Sequence, residues 1–197
     1  MPNPDRITNK MAYQLKITLR GIRPPIWRRL QVSGDATLHD LHRIIQRAMG
    51  WGGGHLHEFQ VSGSCFGDPS EEIGSDVRNE KRITLKQLIS AEKEKFSYMY
   101  DFGDSWDHQI VVEKILPFDK TTEYPVCLAG KRACPPEDCG GPWGYQELLD
   151  VLKDPSHPEY EEMRDWFDED FDPESFSVDH VNVVIRPAPS RKSPTRK

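Results

Sequence analysis

Polar and apolar residues alternate over residues 13–20, with Leu15, Ile17 and Leu19 on one face, the signature of a half-buried strand. Arg23-Pro24-Pro25 interrupts that ladder, because proline donates no backbone hydrogen bond. Residues 26–32 resume as a second strand, antiparallel to the first. Over residues 37–49 the period changes. Leu38, Leu41, Ile44, Ile45 and Ala48 recur at three-to-four spacing and predict a helix with one buried face. Thr37 can cap it, Asp40 suits its first turn, and Gly50 can end it. Residues 55–61 alternate again and predict a strand. Residues 63–82 are polar and punctuated by glycine and proline, and read as a loop. Residues 83–91 read as a short helix, and 96–113 as a β-hairpin.

Beyond the hairpin the pattern favours helices. Tyr145, Leu148, Leu149 and Leu152 form one inward face, stopped by Asp154-Pro155. Pro158 opens a second helix whose apolar stripe is Tyr160, Met163, Trp166 and Phe167. Over residues 177–185 the valines favour a strand but their spacing favours a helix, and helix is the reading taken. Strands therefore dominate the first two thirds and helices the last third, without βα alternation. That order predicts an α+β fold: a single compact domain with a mostly antiparallel, roll-like sheet, helices packed on one side, and a helical C-terminal third. A flexible N-terminus at 1–12, a body at 13–186 and a disordered basic tail at 187–197 complete the organisation.

Composition adjusts this picture in three places. The chain has 197 residues, enough for one ordinary domain, and its five Trp, six Tyr and eight Phe can fill much of a core. Its net charge is −6. Residues 186–197 hold five basic and no acidic groups, which leaves −11 on the remainder, with nine carboxylates between residues 159 and 174. An acidic body argues against general nucleic-acid binding. No run approaches the ~18–20 apolar residues that cross a bilayer, and the polar opening lacks the apolar core of a secretory signal. The expectation is a soluble, cytoplasmic protein with no membrane partner, whose four cysteines are reduced thiols or ligands.

Three stretches carry candidate chemistry. In the hairpin, Gly103-Asp104 fits a two-residue turn with glycine at the first central position. That register pairs Tyr100 with Asp107 and Met99 with His108. One face then carries Met99, Asp101, Trp106, His108 and Ile110, and the other carries Phe96, Tyr98, Tyr100, Phe102 and Val111. A carboxylate beside an imidazole can orient a tautomer or share a metal, which makes Asp101, Asp104 and His108 candidate catalytic or ligand residues. The alternative is a half-buried structural histidine and a turn aspartate. His55 and His57 lie two apart in a strand, hence on one face, as metal ligands can. Cys127, Cys134 and Cys139 lie in a segment rich in Gly and Pro with no helical or strand period. Zinc could hold such a segment, with His108, His55 or His57 as fourth ligand. The thiols could equally be small buried hydrophobes. Glu137-Asp138 can cap the following turn or join a site.

These segments together resemble the plasmid pRiA4b ORF-3-like family. The resemblance rests on Arg23-Pro24-Pro25-Ile26-Trp27-Arg28, Met49-Gly50-Trp51, His55-Leu56-His57-Glu58-Phe59 and Tyr100-Asp101-Phe102-Gly103-Asp104-Ser105-Trp106-Asp107-His108. It also rests on Cys134-Pro135-Pro136-Glu137-Asp138-Cys139-Gly140-Gly141-Pro142-Trp143-Gly144-Tyr145 and Phe171-Asp172-Pro173-Glu174-Ser175-Phe176. It implies a compact α+β roll and an association with plasmids and insertion elements, where some relatives carry a resolvase-like label. It implies no activity, and no serine-recombinase arrangement is recognisable.

Two functions compete. The first is a small binding module, with zinc as candidate cofactor, that recognises a protein or nucleic acid through a face around Trp106, Arg28 and Arg29. The second is a metal-dependent hydrolase or nuclease-like enzyme using Asp101, Asp104 and His108. No nucleophile elbow, phosphate-cradling loop or zincin helix accompanies it, and the balance leans away from an enzyme.

Overall fold

The computed structural model describes residues 10–69, 76–166 and 171–186. The expectations for residues 1–9, for the side chains of Trp166 and Phe167, and for the tail at 187–197 lie outside what is described. The fold is α+β. Eight strands form one sheet in the order β5-β4-β3-β6-β7-β1-β2-β8, antiparallel except for the β4–β5 pair. The strands are β1 Met11–Leu19, β2 Ile26–Ser33, β3 His57–Val61, β4 Ser64–Gly67, β5 Arg78–Asn79, β6 Lys95–Tyr100, β7 Trp106–Pro117 and β8 Val126–Lys131. The helices are α1 Leu38–Met49, α2 Leu85–Leu88, α3 Gly141–Leu152, α4 Tyr160–Trp166 and α5 Val178–Ile185.

Strand β1 is an interior strand, flanked by β2 and β7. Its alternation buries Leu15, Ile17 and Leu19 against α1, whose Leu38, Leu41, Ile45 and Ala48 are all buried. Thr37 and Asp40 close a capping box on α1, and Gly50 ends it in the left-handed conformation at φ 88°. Helix α5 forms over the ambiguous valines, with the Ser177 hydroxyl accepting from the His180 amide.

Four expectations need correction. The polar stretch 63–82 is not a plain loop: it supplies β4, β5 and a 3-10 turn, Glu80–Arg82, that carries Glu80 into the core. Phe66 is the one large apolar side chain these short strands bury, too little to make a period. The segment holding Cys127 is not without a period either, since β8 pairs with β2 as an edge strand. The C-terminal third is not helical as a whole, because it holds only α3 and two shorter helices between irregular segments.

The fourth correction concerns the hairpin. Tyr100 pairs with Trp106, Met99 with Asp107 and Tyr98 with His108, one residue away from the expected register. The connection is not a two-residue turn. Residues 101–105 form it, with positive φ at Asp101 (55°) and Ser105 (56°) rather than at Gly103. The Asp101 carboxylate accepts from the Gly103 amide at 2.9 Å, and the Ser105 amide donates to the Asp101 carbonyl at 2.6 Å. This side-chain turn at Asp101 outcompetes the glycine turn. A one-residue slip exchanges faces. Trp106, His108 and Ile110 therefore join Phe96, Tyr98 and Tyr100 in the core, while Phe102 is exposed.

Candidate functional site

Three of the motif segments meet at one end of the sheet. Trp51, just past α1, stacks on Tyr100 with ring centroids 5.3 Å apart, and lies 5.7 Å from Trp106. Its indole nitrogen donates to the Pro135 carbonyl at 2.8 Å, tying the cysteine loop to the aromatic floor. Glu137 is held twice: one carboxylate oxygen accepts from the Tyr100 hydroxyl and the other from the Gly52 amide. Burial, reinforced by Glu137, pushes the Tyr100 hydroxyl well up, so it stays protonated and donates. The hairpin loop approaches closely too. A Cβ on Gly141 would sit 2.2 Å from the Asp104 carbonyl oxygen, and Gly141 has φ 69°, so only glycine fits there.

This frame brings His55, Asp101 and Asp138 together. The His55 ring nitrogens lie 3.6 Å from an Asp101 oxygen (Nδ1) and 3.4 Å from an Asp138 oxygen (Nε2). The three offer ligand atoms within 4.8 Å of one another, the one group of this kind among the described residues. Each comes from a different segment. His55 precedes β3, Asp101 opens the hairpin loop, where its amide donates to the Leu56 carbonyl at 2.9 Å, and Asp138 follows Glu137. Asp101 and Asp138 both adopt left-handed backbone conformations, φ 55° and 59°. Their side chains grade outward from 12% exposed at Asp101 to 69% at Asp138. Beside Asp138 a cleft of about 670 Å³ opens against α3 and α4, bounded by Leu148, Met163, Glu147 and Glu162. One imidazole and two carboxylates suit a first-row divalent ion. Three donors, of which Asp138 alone is exposed, would leave coordination positions open, unlike a closed structural zinc site.

The remaining expected residues go elsewhere. His57 does not share a face with His55, because β3 begins at His57 and His55 lies before it. The His57 ring is buried, 2.9 Å from one Glu80 oxygen, and stacks on His42 at 3.6 Å. His39 meets the other Glu80 oxygen at 2.8 Å. Glu80 is fully buried, and burial pushes its carboxyl up. Hydrogen bonds and charge from His57, with the hydrogen bond from His39, outweigh that and hold it below the usual carboxylate value. His42 and Gln46 both meet the Tyr98 hydroxyl at 2.8 Å. Burial, and secondarily the neighbouring His57, lowers His42 to about 3.

His108 is fully buried behind Trp51, with Nδ1 3.2 Å from the Tyr98 carbonyl, and burial lowers it to about 4. Nε2 of His108 and one Asp104 carboxylate oxygen have no hydrogen-bond partner among the described residues. Neither residue joins the His55 cluster. Sequence reading missed His39, His42, Gln46 and Glu80. A usable signal existed: residues 39, 42 and 46 draw a polar line beside the apolar face of α1.

Among the described residues, no group of three or more donor atoms close enough to share an ion includes Cys127, Cys134 or Cys139. The Cys134 thiol accepts from Arg28 at 3.2 Å and donates to the Met49 sulfur at 3.1 Å. Burial raises it to about 11. Burial, then Asp104, raises Cys139 to about 12. Cys127 points its thiol at the Ala129 carbonyl, and burial raises it as well. The proposed binding face also changes. Trp106 is fully buried. Arg28 is buried and donates to the carbonyls of Ala48, Trp27 and Lys131, with its guanidinium 4.6 Å from the Phe176 ring centroid. Arg29 forms a two-pronged pair with Glu113 at 2.6 and 2.8 Å.

Among the described residues no helix is long and apolar enough to cross a membrane. The chain is 38% identical over 176 residues to the uncharacterized protein y4hQ of Sinorhizobium fredii, covering 88% of this chain and 90% of that relative. It also superimposes on the crystal structure of MM3350, a protein of unknown function from Methanosarcina mazei Go1. The TM-score there is 0.81 at 44% identity, covering 86% of this chain and 97% of the other. The sequence profile of the plasmid pRiA4b ORF-3-like proteins matches residues 11–180, and the chain belongs to that family.

Proposed function

We propose that this protein is a binding module whose ligand-recognising element is a divalent metal ion held by His55, Asp101 and Asp138. The observation that carries this reading is the meeting of those three donor groups from three separate segments, one of which, Asp138, also lines the α3–α4 cleft. With only three donors from this chain, such an ion has positions left to take an oxygen or nitrogen donor from its partner. The glycine at 141, the doubly held Glu137 and the stacked Trp51–Tyr100 pair act as the support that fixes the ligand loops. An enzymatic reading centred on Asp101, Asp104 and His108 has less support, because His108 lies fully buried behind Trp51. A nucleic-acid face built on Arg28 and Arg29 has less support as well, since one is buried and the other paired.

The test is calorimetric titration of tag-free, chelator-treated protein with Mn²⁺ and Zn²⁺. One equivalent should bind, and His55→Ala or Asp101→Asn should abolish it, while Cys134→Ser and Cys139→Ser leave it in place. Binding that survives both ligand substitutions, or that disappears with the cysteines, would overturn the assignment.

A further inference from the structure

The glycine run at residues 52–54 passes over the part of α1 that carries buried polar side chains. Its approach is pinned on both sides. The Gly50 and Trp51 amides both donate to the Gln46 carbonyl at 2.9 Å, and the Gly52 amide donates to Glu137 at 2.9 Å. Gly53 has φ 73° and turns its bare side toward the helix. A Cβ there would meet Gln46 Cγ at 3.6 Å, His42 Nε2 at 3.7 Å and Gln46 Oε1 at 3.8 Å, all ordinary van der Waals distances. The glycine therefore leaves room for a single heavy atom, bordered by two polar ones.

Both polar atoms are unspent. Gln46 is 3% exposed, and its Oε1 is buried with no hydrogen-bond partner among the described residues. A buried amide oxygen in that condition costs stability until something donates to it. His42 is buried too, and only its Nδ1 makes a hydrogen bond among the described residues. The neighbouring bonds fix what each atom offers. The Gln46 amide nitrogen donates to the Tyr98 hydroxyl at 2.8 Å, so that hydroxyl gives its own proton to His42 Nδ1, also at 2.8 Å. Burial raises the Tyr98 hydroxyl well above its ordinary value and lowers His42 to about 3. The phenol thus keeps its proton, and the imidazole carries one proton only, on Nε2. A donor and an acceptor face the space beneath Gly53.

We infer that a single water molecule is bound beneath Gly53, accepting from His42 Nε2 and donating to Gln46 Oε1. It closes a ring in which every bond runs the same way: His42 to water, water to Gln46, Gln46 to Tyr98, and Tyr98 back to His42. Bonds aligned head to tail in a low-dielectric interior polarise and strengthen one another. Water suits the space because it can accept and donate at once, and a polar gap of that size is the kind that holds one. The ring also fixes the His42 imidazole against His57, whose stacked ring lies 3.6 Å away and faces Glu80. His55, Asp101 and Asp138 take no part in it, so the inference stands apart from the cation reading.

The experiment is magnetic relaxation dispersion of the water oxygen in solutions of the full chain, which counts long-lived bound waters without interference from labile protons. The wild type should hold about one more such molecule per chain than Gly53→Ala, whose methyl group takes the space. Alanine is strained at a positive φ, so Gln46→Met serves as a second variant. It keeps the bulk of the side chain, removes the acceptor, and should lose the same molecule. Heteronuclear shifts of the imidazole nitrogens, measured on the wild type, read the direction of the ring. At pH 7 His42 should carry its proton on Nε2 and leave Nδ1 bare. Two results would overturn the inference: equal water counts in the wild type and both variants, or a His42 proton on Nδ1.

Discussion

Two clusters in this molecule use the same chemistry, imidazole beside carboxylate, and their histidines stand two residues apart at His55 and His57. The inner cluster wraps Glu80 between His39 and His57 and is sealed by His42, Tyr98 and Gln46. The outer one sets His55 between Asp101 and Asp138 at the surface. In the inner cluster a buried carboxylate can only accept, so each facing ring nitrogen carries its proton and both Glu80 oxygens are used. Among the atoms of that cluster only Gln46 Oε1 is left buried without a partner, and it is not a charged donor. In the outer cluster the contacts are long, 3.4 and 3.6 Å, and one carboxylate is mostly exposed. Burial separates a polar network with its carboxylate acceptors used from the cluster we propose as a ligand site, and residue type does not.

The largest expected effect comes from breaking the inner cluster. Glu80→Ala leaves the buried His57 and the half-buried His39 without their acceptor and should cost about 3–5 kcal/mol in denaturant unfolding. A loss below about 1 kcal/mol would mean that the inner cluster is no more structural than the outer one.

Acid should act on the inner region next. His42 and His108 sit at about 3 and about 4 in the folded chain against an ordinary 6.5. Below pH 6.5 the unfolded chain takes protons that the folded chain refuses, so stability falls as the pH falls toward those folded values. The expected loss is about 2 kcal/mol for each histidine by pH 5. Glu80 works in the same direction at lower pH. Its folded value is depressed, so its contribution is present above its unfolded value and lost as the pH falls through the folded one. Denaturation midpoints measured from pH 7 to pH 5 check this, and a flat profile would contradict the burial of both rings. His42→Asn should remove its share of the slope.

Metal should act on the outer cluster alone. At about a hundredfold excess of free ion over its Kd, the cation should add about 2.7 kcal/mol to unfolding stability. Asp101→Asn should cancel that gain. The same substitution should leave the acid slope untouched, since His42 and His108 lie outside the outer cluster.

The two regions were unequally legible in the sequence, and the reasons are physical. Helix α1 is readable throughout, because a long apolar stripe, a capping pair at Thr37 and Asp40, and a terminal Gly50 all agree. The stretch that carries Glu80 is opaque. A four-residue strand, a two-residue strand and a single 3-10 turn are too short to show a period. His55 and Asp101 stood out as residue types, but their meeting is made by loops, where no periodicity reports which way a side chain turns. The hairpin register failed for a related reason: a side-chain turn at Asp101 competes with a glycine turn, and one residue of slip moves every side chain to the other face.

The smallest expected effect is the most discriminating. Asp138→Asn removes one charge from the outer cluster without changing side-chain shape. Asparagine tolerates the left-handed backbone that position 138 requires, so no strain is added. With a side chain 69% exposed, the substitution should move metal-free stability by less than about 0.5 kcal/mol. It should nevertheless weaken cation binding severely, because an amide oxygen offers the ion no negative charge. Titration and denaturation on the same variant measure the two quantities independently. If stability drops by several kcal/mol, Asp138 belongs with Glu80 as a structural carboxylate and the contrast between the clusters collapses. If both quantities stay unchanged, the ion is held by other groups and the outer cluster is a chance meeting of loops.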